Sequence, residues 1–119
     1  MPREFLQIRT NTLLAVQGTG LAIADIDGDG LPDIITGKRY WAHGPTGDPD
    51  SDGPAVLYWF GMKTNAAGDP IFVPHLIGSD SGVGTQIATG DLNGDGKVDI
   101  AVANKKGVFI YFQRSAAVR

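Results

Sequence analysis

Asp25-Ile-Asp-Gly-Asp-Gly-Leu-Pro-Asp33 is followed 66 residues later by Asp91-Leu-Asn-Gly-Asp-Gly-Lys-Val-Asp99. Both segments place oxygen-bearing side chains at alternate positions of a glycine-rich loop. Calcium is a hard cation that takes six to eight oxygen ligands at about 2.3–2.6 Å. The duplicated spacing therefore predicts two calcium loops, which would bind about two Ca²⁺ per chain.

The predicted ligands occupy the odd-numbered positions of each nine-residue segment, with a backbone carbonyl at the seventh position and side chains elsewhere. They are Asp25, Asp27, Asp29, the Leu31 carbonyl and Asp33 in the first loop, and Asp91, Asn93, Asp95, the Lys97 carbonyl and Asp99 in the second. Gly30 and Gly96 stand at the sixth position, where a sharp turn requires positive φ. A metal-free turn is the alternative, because Asp, Asn and Gly favour turns without any ion. Crowded carboxylates that repel one another favour the cation.

The flanks of the two loops distinguish them from helical calcium sites. An EF-hand lies between helices and carries a bidentate Glu at position 12, and a dockerin-like loop also needs an acid there. Position 12 is Thr36 in one segment and Val102 in the other. Short apolar runs at 21–24, 34–36 and 100–103 border the loops and indicate buried strands instead.

Composition and charge narrow the class of protein. The chain has 119 residues, no cysteine and a formal net charge of −3. Seven of its 13 acidic residues lie in the two loops, so the acidic balance is mainly that of the metal sites. No apolar run is long enough for a membrane span, and no basic stripe indicates a nucleic-acid partner. Residues 1–4 lack a signal-peptide pattern, so the chain is either cytosolic or, as we expect, a mature or excised piece.

The repeat extends beyond the loops, since residues 18–34 match residues 84–100 at nine of seventeen positions. Self-similarity of this kind predicts an all-β propeller with two four-stranded antiparallel blades per chain. We expect an outer strand to come first in each repeat, at 5–9 and 71–77. Inner strands follow at 20–25 and 86–91, second strands at 34–38 and 100–104, and third strands at 55–61 and 107–113. The predicted domain division is blade one at about 10–77 and blade two at about 78–119, with strand 5–9 completing a blade.

A long segment at 39–54 separates the second and third strands of the first repeat, where the second repeat has only a tight turn at 104–107. Irregular loops on rigid scaffolds often carry recognition, so Tyr40, Trp41 and His43 are the predicted ligand-binding residues. The alternative is that the two aromatic rings cover a blade edge. His75 lies in a strand pattern and is predicted to be structural.

The two acidic segments, each preceded by a small apolar strand and followed by an Ile-led strand, resemble FG-GAP/VCBS repeats, the calcium-bearing blades of integrin-α-type β-propellers. The Phe-Gly-Gly-Ala-Pro element is absent: the chain has Trp59-Phe60-Gly61 and Tyr111-Phe112-Gln113 at the corresponding places. The resemblance implies Ca²⁺ between the first two strands of a blade. It also implies an extracellular or secreted setting, and adhesion or lectin-like glycan binding more often than catalysis.

Three functions are compatible with these patterns: a calcium-binding module that recognises a glycan or protein, a structural fragment that assembles into a closed ring, and an enzyme. No nucleophile–base motif stands out, so we expect a protein that is not an enzyme. Propellers have about four to eight blades, and a two-bladed chain leaves sheet flanks exposed. The ring would be completed by a homo-oligomer or by a longer parent chain. A trimer with six blades is the preferred homo-oligomer.

Overall fold

The computed structural model describes Phe5 and residues 20–38, 54–84 and 86–114. These residues form seven strands and no helix, so the described part of the chain is all-β, as expected. No helix in it is long and apolar enough to cross a membrane. The strands are β1 (Leu21–Ala24), β2 (Asp33–Gly37), β3 (Leu57–Thr64), β4 (Pro70–Gly78), β5 (Ile87–Gly90), β6 (Asp99–Asn104) and β7 (Gly107–Tyr111).

The first sheet is a four-stranded antiparallel meander in the order β1-β2-β3-β4. Its longest pairing joins β3 to β4 through a turn at 65–69, where the Asn65 side chain accepts hydrogen bonds from Ala67 N and Asp69 N, both at 3.0 Å. The register shifts between Leu57 and Tyr58, because a bulge inserts an extra residue in β4 opposite this point. The turn and the bulge together set the pairing register between β3 and β4.

The second sheet contains β5, β6 and β7, again antiparallel and in chain order. A two-residue turn joins β6 to β7, with Asn104 paired to Gly107 and the Asn104 side chain accepting a hydrogen bond from Lys106 N at 2.8 Å. Gly107 has φ 143°, in the region that glycine tolerates. The sheet repeats the first three strands of the first sheet, with a much shorter connection after its second strand.

The core lies between the two sheets. Its fully buried side chains include Ile35 and Leu57 from the first sheet and Val102 from the second, with Trp59 and Tyr111 packed at its border. At one end of this interface, Gly20 N donates a hydrogen bond to Gly84 O at 2.8 Å. A Cβ on Gly20 would lie 2.7 Å from Gln86 N, so the approach of the two backbones depends on glycine.

Each sheet turns its other face outward. On the first sheet this face carries Leu21 and Ile23, which are 58% and 63% exposed. On the second sheet it carries Val108 and Ile110, which are 73% and 51% exposed, beside a shallow apolar concavity of about 340 Å³. Both outward faces are thus apolar sheet surfaces of the kind that a neighbouring sheet covers.

Two strands predicted from the sequence would each complete a sheet. The strand expected at 71–77 as the outer strand of the second repeat is β4, which pairs with β3 and completes the first sheet. The turn at 65–69 makes β4 the hairpin partner of β3, so this strand lies within the range predicted for blade one, about 10–77, although it comes first in the second sequence repeat. The expected strand at 5–9 lies outside the described residues apart from Phe5, which is exposed, so its pairing stays a prediction. The other expected strands are present, with ends that differ by up to three residues.

Candidate metal centres in the two strand-connecting loops

Loop one (residues 25–33) joins β1 to β2, and loop two (residues 91–99) joins β5 to β6. The last residue of each loop is also the first residue of the following strand: Asp33 pairs with Ala24, and Asp99 pairs with Gly90. Both ends of each loop are therefore fixed by the last pair of a strand ladder. This arrangement places each acidic segment at the same corner of its sheet.

The first carboxylate of each loop organises the turn. Asp25 accepts hydrogen bonds from Gly28 N at 2.9 Å, Asp29 N at 3.2 Å and Gly30 N at 2.8 Å. Loop two has the same three bonds, since Asp91 accepts from Gly94 N, Asp95 N and Gly96 N at 2.8, 3.2 and 2.7 Å. The backbone can present three amides to one carboxylate because both glycines of each loop have φ between 74° and 84°.

The last carboxylate of each loop is buried and binds the third strand of the sheet or its continuation. Asp33 is 0% exposed and accepts hydrogen bonds from Ile26 N at 2.8 Å and Met62 N at 2.9 Å. Asp99 is 1% exposed and accepts from Leu92 N at 2.8 Å and Gln113 N at 2.9 Å. The sequence spacing identified these residues only as ligands. It missed their second role as buried acceptors that tie loop to strand.

The side chains of each loop converge well enough to hold a cation. One carboxylate oxygen from each of Asp25, Asp27, Asp29 and Asp33 lies within 4.8 Å of the others, and the same holds for Asp91, Asp95 and Asp99. Hard oxygen donors in this number suit Ca²⁺ better than a softer metal. The donor set therefore fits calcium. The Asn93 amide and the Leu31 and Lys97 carbonyls remain predicted ligands.

Hydrogen bonds also favour the charged state of these carboxylates. The Leu31 amide, which donates to Asp29 at 2.9 Å, lowers the pKa of Asp29, and the Lys63 ammonium adds to this effect. The Gly96 amide is the largest cause that lowers the pKa of Asp91, helped by the other backbone amides of its turn. Both groups thus carry negative charge at neutral pH, as metal ligands must.

Lys63, near the end of β3, was not singled out from the sequence. Its Nζ lies 2.8 Å from Asp27 Oδ2 and 3.0 Å from Asp29 Oδ2, and the two carboxylates raise the pKa of Lys63. These are the ion pairs of loop one among the described residues, and loop two has none there. The contact depends on the register between β2 and β3, which no short sequence motif encodes.

The predicted ligand-binding residues Tyr40, Trp41 and His43 lie outside the described residues. His75 is described: its ring stacks on Trp59 with centroids 4.1 Å apart and 15° between the planes. The two residues face each other across β3 and β4. This contact agrees with a structural role for His75.

Comparison with known proteins agrees with this architecture. The FG-GAP repeat family model matches residues 17–57 and 83–111, which include both loops and most strands. Integrin alpha-7 from Homo sapiens is 38% identical over 107 residues, a match that covers 85% of this chain and 9% of integrin alpha-7. No solved structure matches the chain. The two sheets are thus propeller-type blades of an integrin-α-like kind, and the chain belongs to the FG-GAP repeat family.

Proposed function

We propose that this chain is a calcium-binding β-propeller module for extracellular recognition of a glycan or protein ligand. The observation that carries the calcium part is the duplicated loop geometry. The three amide bonds to Asp25 and the three to Asp91 agree to within 0.1 Å, and both loops gather carboxylates around one point. The repeated sequence thus closes both loops in the same way and brings their carboxylates together, as two sites for the same cation would require.

Calcium in these loops would act on stability and position rather than on chemistry. An ion held by one loop would neutralise carboxylates that otherwise repel one another, and it would fix the corner between two paired strands. Extracellular calcium modules bind with Kd of about 10⁻⁴–10⁻³ M, so such a site is filled outside cells. An extracellular setting and a recognition role also agree with the likeness to integrin alpha-7.

Isothermal titration calorimetry with Ca²⁺ tests the calcium function directly. We expect about two ions per chain and binding in the range of extracellular modules. Mg²⁺ is the control cation, because it demands octahedral geometry and dehydrates reluctantly. Absence of calcium binding, or equal binding of Mg²⁺, would contradict the proposal.

The ligand site is proposed at Tyr40, Trp41 and His43, on the residues 39–54 that separate β2 from β3 in the chain. Aromatic faces beside hydrogen-bonding groups suit sugar stacking. A glycan array on the calcium-loaded protein, repeated with Trp41→Ala, tests it: binding that is lost in a variant with unchanged melting temperature supports the site. A Trp41→Ala variant that unfolds supports the alternative, in which Trp41 covers the blade edge.

Self-assembly into a closed ring is the second candidate function, favoured by how the outward faces relate to the repeat. Equivalent residues of the two repeats, which are 66 positions apart, lie on opposite faces of their sheets. Leu21 and Ile34 lie on the outward face of the first sheet, and their equivalents Ile87 and Ile100 are buried between the sheets. Conversely, the buried Ile35 corresponds to Ala101, which lines the concavity on the outward face of the second sheet. One copy's first sheet could therefore dock on another copy's second sheet by repeating the internal interface.

Head-to-tail contacts of this kind close into rings when the rotation allows, and three chains give six blades. Sedimentation equilibrium at several concentrations tests the trimer. Ile110→Asp places a charge on the outward face and should yield monomers, whereas Lys105→Asp, in the exposed turn, is the matched control. A calcium-loaded monomer at all concentrations refutes the ring. It would leave a neighbouring blade of a longer chain as the partner of these faces.

A further inference from the structure

The two loops differ in charge at their third position, where loop one has Asp27 and loop two has Asn93. Loop one therefore carries four carboxylates and loop two carries three. By ligand charge alone, loop one should bind a divalent cation more tightly. The surroundings of the extra carboxylate alter this expectation.

Lys63 supplies a positive charge only at loop one. Its Nζ bridges Asp27 and Asp29, the third- and fifth-position side chains that are predicted to bind the ion. Met62 N and Gln113 N are equivalent, because each donates a hydrogen bond to the last carboxylate of its loop. The residue after Met62 is Lys63 and the residue after Gln113 is Arg114, so Arg114 is the structural equivalent of Lys63 at loop two. No ion pair joins Arg114 to loop two among the described residues.

The bridge places a cationic group against two of the carboxylates that are predicted to bind the ion. One ammonium contacts an oxygen of Asp27 and an oxygen of Asp29, at 2.8 and 3.0 Å, and both residues belong to the group of four carboxylates that could hold an ion. Calcium would need oxygens from the same two carboxylates at about 2.3–2.6 Å, and like charges at such distances repel. The lysine side chain is 44% exposed, so its flexible stem can swing into solvent when an ion enters.

We propose that Lys63 is a tethered counter-ion that competes with calcium for loop one, so that loop two fills first and loop one fills at higher calcium concentration. This inference rests on the proposed calcium function. Its consequence is a module with two unequal sites: loop two stays loaded, while loop one exchanges its lysine for calcium as the concentration rises. Lys63 would thus set the calcium range over which the first blade responds.

The size of the effect follows from the bridge. An exposed ion pair shifts an equilibrium by about 1.4- to 5-fold, and Lys63 makes two such contacts. Two such shifts multiply to about 2- to 25-fold, and we expect Lys63 to weaken calcium binding at loop one by a value in the middle of this range, about three- to tenfold. Replacement of Lys63 by a neutral residue should strengthen binding at loop one by the same factor and leave loop two unchanged.

Nuclear magnetic resonance can report the two loops separately in the intact chain. The Gly30 and Gly96 amides donate to Asp25 and Asp91, so their ¹H–¹⁵N signals serve as one reporter for each loop. In the wild-type protein we expect Gly96 to titrate at a lower Ca²⁺ concentration than Gly30. In Lys63→Gln the Gly30 midpoint should fall about three- to tenfold, in Lys63→Arg it should stay near the wild-type value, and in Arg114→Gln neither midpoint should move.

A second readout separates competition from a structural role of Lys63. The ion pairs stabilise the calcium-free loop, so Lys63→Gln should lower the melting temperature in EDTA yet increase the rise that calcium produces. A structural role alone would lower both. If both glycines titrate and Lys63→Gln leaves the Gly30 midpoint unchanged or raises it, the inference is overturned and the calcium function stands. If neither glycine responds to Ca²⁺, the calcium function itself fails, and the inference fails with it.

Discussion

Replacing Asp33 by alanine should destabilise this protein even when no calcium is present. Asp33 is 0% exposed, and its two carboxylate oxygens accept hydrogen bonds from Ile26 N and Met62 N at 2.8 and 2.9 Å. One donor lies within loop one, and the other lies in β3, 29 residues away in sequence. The carboxylate therefore connects loop one to β3, the neighbour of β2 on the side away from β1.

The magnitude follows from the two amides that the substitution leaves behind. A buried donor without an acceptor costs about 1–3 kcal/mol, and Ile26 is itself buried. Because Met62 is only half-buried and water can reach it in part, we expect a total loss of about 3–4 kcal/mol. This is a large part of the roughly 5–15 kcal/mol that stabilises a typical domain. Asp33→Asn keeps one acceptor oxygen but turns an NH₂ donor toward the other backbone amide, so its loss should approach that of Asp33→Ala.

Urea denaturation in EDTA, followed by tryptophan fluorescence, measures this loss without any contribution from calcium. Asp69→Ala is the matched control, because Asp69 is an exposed residue in the turn between β3 and β4, and it should change stability by less than about 0.5 kcal/mol. If Asp33→Ala loses less than about 1 kcal/mol in EDTA but more in calcium, Asp33 acts as a metal ligand only. That result would refute the argument from buried hydrogen bonds.

Three further predictions concern the loops and the contact between the sheets. Asp95→Ala should lower the melting temperature mainly in saturating calcium, since a ligand at a hundredfold excess over its Kd raises the free energy of unfolding by about 2.7 kcal/mol. Equal losses with and without EDTA would make Asp95 a turn residue only. In EDTA, the free energy of unfolding should fall as the pH drops below about 4, because the pKa of Asp91 is lowered in the folded state and the unfolded state therefore takes up protons first. Urea midpoints measured from about pH 3 to 6 should depend less on acid in Asp91→Asn than in the wild-type protein. Identical pH profiles would exclude a contribution of Asp91 to this acid dependence. A Cβ at position 84 would overlap the Ala103 carbonyl oxygen, so Gly84→Ala should cost about 1–3 kcal/mol, whereas Gly90→Ala, with open space around its Cα, is a milder control.

The sequence allowed the loops and their strand neighbours to be predicted because this information is local. Side-chain spacing and glycine positions fix the turn, and the alternation of Asp33, Ile35 and Gly37 on the buried face of β2 is a period-two pattern. The extent of the repeat then indicated blades. All of these signals lie within a few residues of the structure that they predict.

The roles of Met62 and Lys63 could not be predicted, because they depend on register between distant strands. A turn braced by Asn65 decides that β4 folds back on β3, and a bulge beside Leu57 sets which residues of β3 and β4 face each other. A shift of one residue would turn Lys63 to the other face of the sheet. Its contact with Asp27 thus follows from the complete sheet rather than from any segment of it.

The hydrogen bonds of loop one separate two kinds of carboxylate. Asp25 and Asp33 together accept five backbone amides, so both are already committed to holding the loop and its strands without an ion. Asp27 contacts the Lys63 ammonium instead, and Asp29 contacts it in addition to one amide. A loop preformed in this way needs a cation for charge rather than for shape, because the remaining cost is repulsion among carboxylates fixed close together. Either a calcium ion or a lysine can meet that need, and loop one, which has the additional carboxylate, is also the loop with a lysine beside it.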